Sequence, residues 1–288
     1  LDRPKDQVLM FSLRYLKIWV GGAILLLLCV CGLAAPLLAP RDPQAQTLED
    51  RLRPPRWTEN GSSAYLLGTD NLGRDMLSRI IYGSRISLMV GAATVIFAGF
   101  VGCTLGAVAG YFGHTADEVV SKLSEIFLAF PFLLIAIAIM AFLGQGVGNL
   151  IMALMLSRWV QYFRVVRGEV LSIRERDFVT AAKALGAKDW YVLFRHVVPN
   201  TLASVTVIAT FGMAIVIITE ASLSFLGLGV PVHIPTWGSM LSEGRSYINR
   251  APWLTIFPGL AIFITVFGIN LLGDGLRDIL DPKLRRQR

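Results

Sequence analysis

Two ionisable residues of this sequence lie inside long apolar stretches, where an isolated charge is costly. They are Glu220 and Arg158. A carboxylate or a guanidinium in such a place can bind an oppositely charged group of a solute, or it can join two helices. Both residues are therefore candidates for lining a translocation path. For Glu220 the structural alternative is equally good, and for Arg158 we favour a structural contact.

The sequence does not contain the patterns that hold a nucleotide, a metal or a catalytic centre. It has no G-x-x-x-x-G-K-[ST] loop for ATP phosphates and no HExxH helix. Paired carboxylates and a Ser–His arrangement are also missing. The three histidines, His114, His196 and His233, are scattered along the chain. We therefore expect no catalytic residue, metal or cofactor on this chain.

The composition indicates a membrane protein. Of 288 residues, 54% are hydrophobic and only 16% are charged, whereas about a quarter are charged in soluble domains. A helix needs about 20 apolar residues to cross a bilayer. The sequence therefore predicts an all-α polytopic protein with six transmembrane helices, at 18–39, 86–111, 126–143, 147–166, 202–226 and 254–272.

The basic residues indicate how these spans are oriented. Most lysines and arginines flank the ends that share a side with the N-terminus, and such ends are usually cytoplasmic. We therefore expect both termini in the cytoplasm and attribute the net charge of +7 to topology, with no nucleic-acid partner. The first span is expected to be an uncleaved anchor because Pro36 spoils the cleavage site that follows it. Since residue 1 is leucine, we expect residues ahead of it.

Three segments follow from this topology. Residues 1–40 form an N-terminal tail and the first span. Residues 41–85 are expected outside, as an ordered loop followed by a helix on the membrane surface with Arg74, Asp75, Arg79 and Arg85 away from its apolar face. Residues 86–288 form a five-helix core with a loop at 168–200 and a cytoplasmic tail.

Small residues recur on the predicted second span. Gly99, Gly102, Gly106 and Gly110 are three or four positions apart, which favours close helix packing within the bundle or against a partner. Cys29, Cys31 and Cys103 also lie in spans, without the spacing of a metal site or a disulfide framework.

A polar insert at 177–200 separates two apolar spans and has the pattern of a helix–turn–helix. Phe178, Ala182 and Leu185 share one face of its first half, and Gly186 supplies the backbone freedom that ends a helix. A second short amphipathic helix is predicted from the spacing of Trp190, Leu193, Phe194 and Val197, and Pro199 is expected to end it. Such an insert suits the docking of a soluble partner.

This insert resembles the cytoplasmic coupling loop of ABC-importer permeases, the EAA loop. Ala181, Ala182, Gly186 and Pro199 match that pattern, whereas Thr180 stands where the family has glutamate. The resemblance implies that the insert contacts an ATPase subunit. The residues it assigns to that contact are Thr180, Ala181, Ala182, Leu185, Gly186, Trp190, Phe194 and Pro199.

Further motifs resemble the C-type permease subunits of dipeptide, oligopeptide and nickel importers. One follows the first span and contains Gly68, Thr69, Asp70, Gly73, Arg74 and Asp75. Others are SFLGLG at 224–229, Trp237-Gly238, GDGLRD at 273–278 and Leu280-Asp281-Pro282.

The resemblance implies a permease that forms half of a path for short peptides and works by alternating access in a bacterial cytoplasmic (inner) membrane. Its implied partners are a second homologous permease, one or two cytoplasmic ATPase subunits that carry ATP and Mg, an extracytoplasmic solute-binding protein and the lipid bilayer. Nickel chelates or glutathione-like solutes are alternative substrates. A stand-alone secondary transporter is a remote alternative, because we find neither inverted repeats nor a membrane proton relay. A membrane-embedded enzyme is disfavoured for want of a catalytic constellation.

Overall fold

The computed structural model describes residues 4–231 and 233–280, with side chains from Tyr15 onward. Within those ranges the protein is helical and contains no strand beyond an isolated bridge between Thr69 and Asp75. The helices are α1 (Pro4–Leu33), α2 (Ala35–Leu38), α3 (Met76–Phe112), α4 (His114–Leu128), α5 (Phe132–Leu143), α6 (Val147–Ile173), α7 (Asp177–Ala184), α8 (Asp189–Val192), α9 (Val198–Phe225), α10 (Trp237–Gly244) and α11 (Trp253–Leu280).

Four helical stretches in the described part of the chain are long and apolar enough to cross a membrane. They are Tyr15–Leu33, Met76–Phe112, Asp189–Phe225 and Trp253–Leu280, and a fifth crossing results if the bent pair α4–α5 is one span. The all-α polytopic fold is therefore confirmed. The span predicted at 147–166 corresponds to α6, whose 27 residues are long enough but less apolar.

The glycine stripe of α3 packs against α6 inside the same chain. A Cβ at Gly106 would lie 2.7 Å from the Phe163 carbonyl oxygen, and one at Gly110 would lie 2.9 Å from that of Arg167. A step of four residues along α3, from Gly106 to Gly110, matches a step of four along α6, from Phe163 to Arg167. The two helices therefore run parallel. Two parallel neighbours in a membrane require the chain to return between them, and α4 with α5 provides that return. The packing thus agrees with six crossings.

Helices α1 and α11 pack antiparallel. Gly275 meets Ile18, and Gly268 meets Ile24 farther along. Lys17 and Asp278 form an ion pair of 3.2 Å at the same end. The described ends of the chain therefore lie on one side of the bundle, together with the C-terminal ends of α3 and α6, while 41–75 and α10 lie on the other.

Two predictions about helix boundaries were wrong. The span predicted at 126–143 is divided, because Pro131 cannot continue a helix: α4 ends at Leu128, α5 begins at Phe132, and their axes differ by 86°. The separate surface helix predicted before the second span does not form. Helix α3 begins at Met76 and continues unbroken to Phe112.

Candidate functional site

The turn at Gly186 has the geometry that the sequence predicted. Its φ is +84°, in the left-handed region that glycine adopts without strain. The Ala187 N–H donates to the Ala182 carbonyl (3.1 Å) and the Gly186 N–H donates to that of Lys183 (2.9 Å). These two bonds form a Schellman motif, which ends α7 and turns the chain toward α8.

An apolar cluster fixes this loop to the ends of the long helices. Val179 of α7 and Val192 of α8 are fully buried, as are Leu193 and Val197 just after α8. They pack with residues near the ends of α3 and α6, namely Ala107, Tyr111, Val166, Val170 and Ile173. The loop is therefore held by the same core that joins α3 to α6.

Polar and aromatic contacts add to this attachment. The Tyr111 hydroxyl donates to Asp189 (2.9 Å), and Lys183 lies 3.4 Å from Asp189 and 4.7 Å from the centre of the Tyr111 ring. Burial opposes the charge on Lys183, but Tyr111 and Asp189 outweigh it and raise the pKa of the ammonium group. Phe112 meets Trp190 at 4.8 Å between ring centres. The end of α3 thus contacts both α7 and α8.

The outward side of the loop is an exposed apolar surface, which we call the coupling surface. Leu185 is 89% exposed beside the turn, and the rings of Trp190 and Phe194 stack at 5.8 Å. Phe178 and Tyr191 are also exposed. The structure places the predicted contact residues here: Thr180, Ala181, Leu185, Gly186, Trp190, Phe194 and Pro199 are exposed, and Ala182 is half-buried.

Three local predictions about this loop need correction. The residue of α7 that is buried is Val179, so Phe178 and Leu185 face outward. The predicted face of the second helix is divided, because Leu193 and Val197 enter the core while Trp190 and Phe194 stay exposed. Pro199 does not end that helix. It occupies the first turn of α9, where a missing N–H costs little, and a π-helical turn at Leu193–Val197 joins α8 to α9.

The motif at 68–75 forms a buried ion network at the opposite end of the bundle. Asp70 accepts hydrogen bonds from Arg74 (2.6 Å) and from Arg79, and Glu243 of α10 accepts from Arg74 (2.6 Å) and from Arg79 (2.8 and 3.1 Å). Asp70, Arg74 and Arg79 are buried, so the two arginines that were expected away from the apolar face of a surface helix lie inside the fold. Sequence reasoning missed Glu243, since no local pattern links it to Asp70.

The other motif residues shape this network. Asp75 caps α3 by accepting from the backbone N–H (2.8 Å) and the hydroxyl (2.6 Å) of Ser78. Gly68 and Gly73 have φ of +81° and +75°. Thr69 accepts the Trp253 indole N–H (3.1 Å) on its carbonyl, which attaches the loop to α11.

The remaining motifs contribute to packing at both ends of the bundle. The Trp237 indole donates to the Ile80 carbonyl (3.1 Å), and Gly238 lies against the backbone of Ala221. Gly273 lies against Thr210 and Phe211 of α9. Asp281 and Pro282 fall outside the described residues.

Glu220 and Arg158 occupy different surroundings. Glu220 is completely buried, and it accepts hydrogen bonds from Ser87 of α3 (3.1 Å) and Ser224 of its own helix (2.8 Å). Arg158 is half-buried and lines a cavity of about 470 Å³. The two side chains are not brought together.

Comparisons with known proteins identify the family. The family described as the binding-protein-dependent transport system inner membrane component matches residues 102–286. The di/tripeptide transport system permease protein DppC of Pseudomonas aeruginosa (strain UCBPP-PA14) is 45% identical over 267 residues, 92% of this chain and 88% of its own. The glutathione transport system permease protein GsiD of Pectobacterium atrosepticum is 44% identical over 96% of this chain and 91% of its own. The oligopeptide transport system permease protein OppC of Bacillus subtilis (strain 168) is 38% identical over 98% and 90%. With more than half of its length matched by the family and nearly all of it by these permeases, the chain belongs to the family of binding-protein-dependent inner membrane transport components.

Proposed function

We propose that this chain is a transmembrane permease subunit of an ATP-driven importer and forms half of the path for short peptides. A second, homologous permease supplies the other half. ATP and Mg bind to one or two cytoplasmic ATPase subunits, and an extracytoplasmic binding protein delivers the solute. The observation that carries this proposal is the coupling surface, which exposes large apolar side chains while its buried side is fixed to α3 and α6.

An exposed apolar surface of this kind indicates a protein partner. Leu185, Trp190 and Phe194 lie where a partner can cover them, and their neighbours Val179 and Leu193 are inside the core. A force applied to the surface therefore reaches α3 and α6 without a flexible linker. That is the mechanical requirement for coupling ATP hydrolysis to movement of a path.

The proposed sidedness follows from the same end of the bundle. The coupling surface, the start of α1 and the end of α11 lie together, and the ion network with α10 lies opposite. We place the first end in the cytoplasm, because it carries most of the lysines and arginines. The segment 41–75 then faces the binding protein.

Short peptides are the proposed substrates because two of the relatives above are named for di/tripeptide and oligopeptide transport. The 44% identical glutathione permease supports a second candidate, glutathione, which is itself a modified tripeptide. Nickel chelates are a third possibility that the same fold could accommodate.

The test uses the complete importer, assembled in liposomes from this chain and the permease, ATPase and binding-protein subunits that co-purify with it. We expect ATP-dependent uptake of labelled di- and tripeptides. Leu185→Asp should release the ATPase subunits, because it places a charge on the coupling surface without disturbing the core. Leu48→Asp, a change at another exposed leucine (69% exposed, against 89% for Leu185) at the opposite end, should retain them. Uptake driven by an ion gradient without ATPase subunits would refute the proposal.

A further inference from the structure

Helix α6 has an apolar side and a polar side. Trp159, Phe163 and Val166 are buried on the apolar side. Arg158, Gln161 and Arg164 lie on the other side, where Gln161 and Arg164 are exposed. A polar side of a membrane helix avoids lipid and faces protein or water.

Arg158 lies near the middle of α6, and this corresponds to the middle of the bilayer when α6 is taken as the fourth crossing. It is eleven residues after the start of α6, which corresponds to about 17 Å along a helix, and the hydrocarbon layer is about 30 Å thick. At this depth a charge is costly unless it meets an opposite charge or water.

The bend between α4 and α5 opens a cavity beside Arg158. Its volume of about 470 Å³ is within the range of small-molecule sites, about 300 to 1,000 Å³. Aromatic residues at the bend form one wall, and α6 forms the other. The lining consists of Phe127, Leu128, Phe130, Phe132, Ser157, Arg158, Val160, Gln161, Arg164 and Val165.

The charged groups of this cavity are both cationic, and one of them is incompletely paired. The Arg158 Nη2 is buried and has no hydrogen-bond partner among the described residues. Its guanidinium lies 5.3 Å from the centre of the Phe132 ring, while the Ser157 hydroxyl is used by the Ala153 carbonyl (2.7 Å). None of the lining residues is acidic, although both Arg158 and Arg164 face the cavity. The lining therefore supplies no anion to pair with these two guanidinium groups.

We propose that this cavity is a substrate site in which Arg158 binds the free C-terminal carboxylate of a peptide in transit. The proposal rests on the permease function proposed above. A guanidinium binds a planar carboxylate through two parallel N–H donors. The aromatic wall accommodates peptide side chains without selecting among them, and Arg164, farther toward the coupling surface, offers the carboxylate a second position.

The first experiment measures ATP-driven uptake of labelled dialanine by the complete importer in liposomes. Arg158→Gln should reduce uptake at least tenfold, and Arg158→Lys should reduce it less, because lysine keeps the charge but loses the two parallel N–H donors. Arg245→Gln is the matched control, because Arg245 also lies over an aromatic ring (Phe225, 5.5 Å) but does not line the cavity. Its uptake should stay within twofold of the unaltered importer.

The second experiment separates a substrate carboxylate from a fixed carboxylate of a partner subunit. Arg158→Cys is introduced on a background in which Cys29, Cys31 and Cys103 are serine. Aminoethyl methanethiosulfonate, which adds a positive charge, should restore uptake, whereas the sulfonatoethyl reagent should not. A separate variant, Gln161→Cys on the same background, keeps Arg158 and places the thiol in the lining of the same cavity; during turnover, dialanine should slow modification of that thiol at least threefold.

The outcomes are distinguishable. If dialanine gives no protection, the partner of Arg158 is a fixed group and the substrate site is refuted. If Arg158→Gln transports dialanine normally, the site is likewise refuted while the permease function stands. If the unaltered importer moves no peptide with ATP, the proposed peptide function fails, and this site fails with it.

Discussion

Replacing Gly186 tests whether the shape of the loop carries the coupling. Its φ of +84° is unfavourable for any residue with a side chain, and a Cβ built there meets nothing within 4 Å. A substitution therefore affects the backbone conformation without creating a clash. This separation makes Gly186 more informative than a buried residue, where packing and conformation change together.

The expected cost depends on the side chain. An L-residue in the left-handed region costs about 1–2 kcal/mol, asparagine tolerates it best, and β-branched residues tolerate it worst. For Gly186→Val we take about 2 kcal/mol, which changes the ratio of native to altered turn by roughly 30-fold. The Schellman hydrogen bonds of Ala187 and Gly186 would be lost, and the Leu185 side chain would change its position on the coupling surface.

The assay is ATP-driven peptide uptake by the assembled importer, with ATP hydrolysis measured in parallel. Gly186→Val should lower uptake at least tenfold, Gly186→Ala less, and Gly186→Asn least, while the subunit remains in the membrane. Gly168→Val is the control, since Gly168 is also unobstructed but lies in α6 with ordinary helical geometry. Normal uptake by Gly186→Val, or equal losses for valine and asparagine, would refute the conformational argument.

The other predictions concern stability and topology. Asp70→Asn removes one partner of a buried ion network, which costs about 3–5 kcal/mol, so the purified subunit should melt several degrees lower; Glu118→Gln, in an exposed pair, should not change the melting temperature. Gly106→Leu should prevent stable assembly of α3 with α6, seen as loss of the folded subunit on size-exclusion chromatography, whereas Gly148→Leu has open space and should be tolerated. A single cysteine at Asn60, with the native cysteines removed, should react with an impermeant reagent in intact cells; reaction only in broken cells would reverse the proposed sidedness.

The turn and the helix packing could be predicted because their causes are local. Gly186 follows a run of helix formers, so its left-handed φ and the end of α7 were evident from sequence. The spacing of Gly102, Gly106 and Gly110 likewise predicted a close helix contact. What the stripe could not reveal is the identity of the neighbour, since Phe163 and Arg167 are more than 50 residues away.

Charges were harder to place than apolar residues. Arg79 reads as solvated when only its own helix is considered, but Glu243 lies 164 residues later and neutralises it in the fold. A sequence pattern shows where a charged residue is. Whether that residue can be buried depends on whether the tertiary structure supplies an opposite charge. Arg158 is the opposite case, because the described part of the chain leaves its Nη2 without one.

The bend of the α4–α5 pair did have a signal in the sequence. Pro131 follows Phe130 within a continuous apolar run, and a proline there removes a hydrogen bond and restricts the residue before it. The high hydropathy of 126–143 nevertheless led us to predict it as one continuous span. The bend has a functional consequence, because Phe130 and Phe132 at the break form one wall of the cavity.

Helix α6 connects the coupling surface to that cavity. Val170, near its end, belongs to the cluster that holds the loop, and Arg158 lies twelve residues earlier, about 18 Å along the helix. Contacts at Gly106 and Gly110 leave no space for α6 to slide along α3. A displacement imposed on the loop must therefore move α3 and α6 together. Because α4 and α5 form the facing wall, we propose that such a movement changes the opening of the cavity, and that a distant ATPase subunit controls in this way when a bound carboxylate is released.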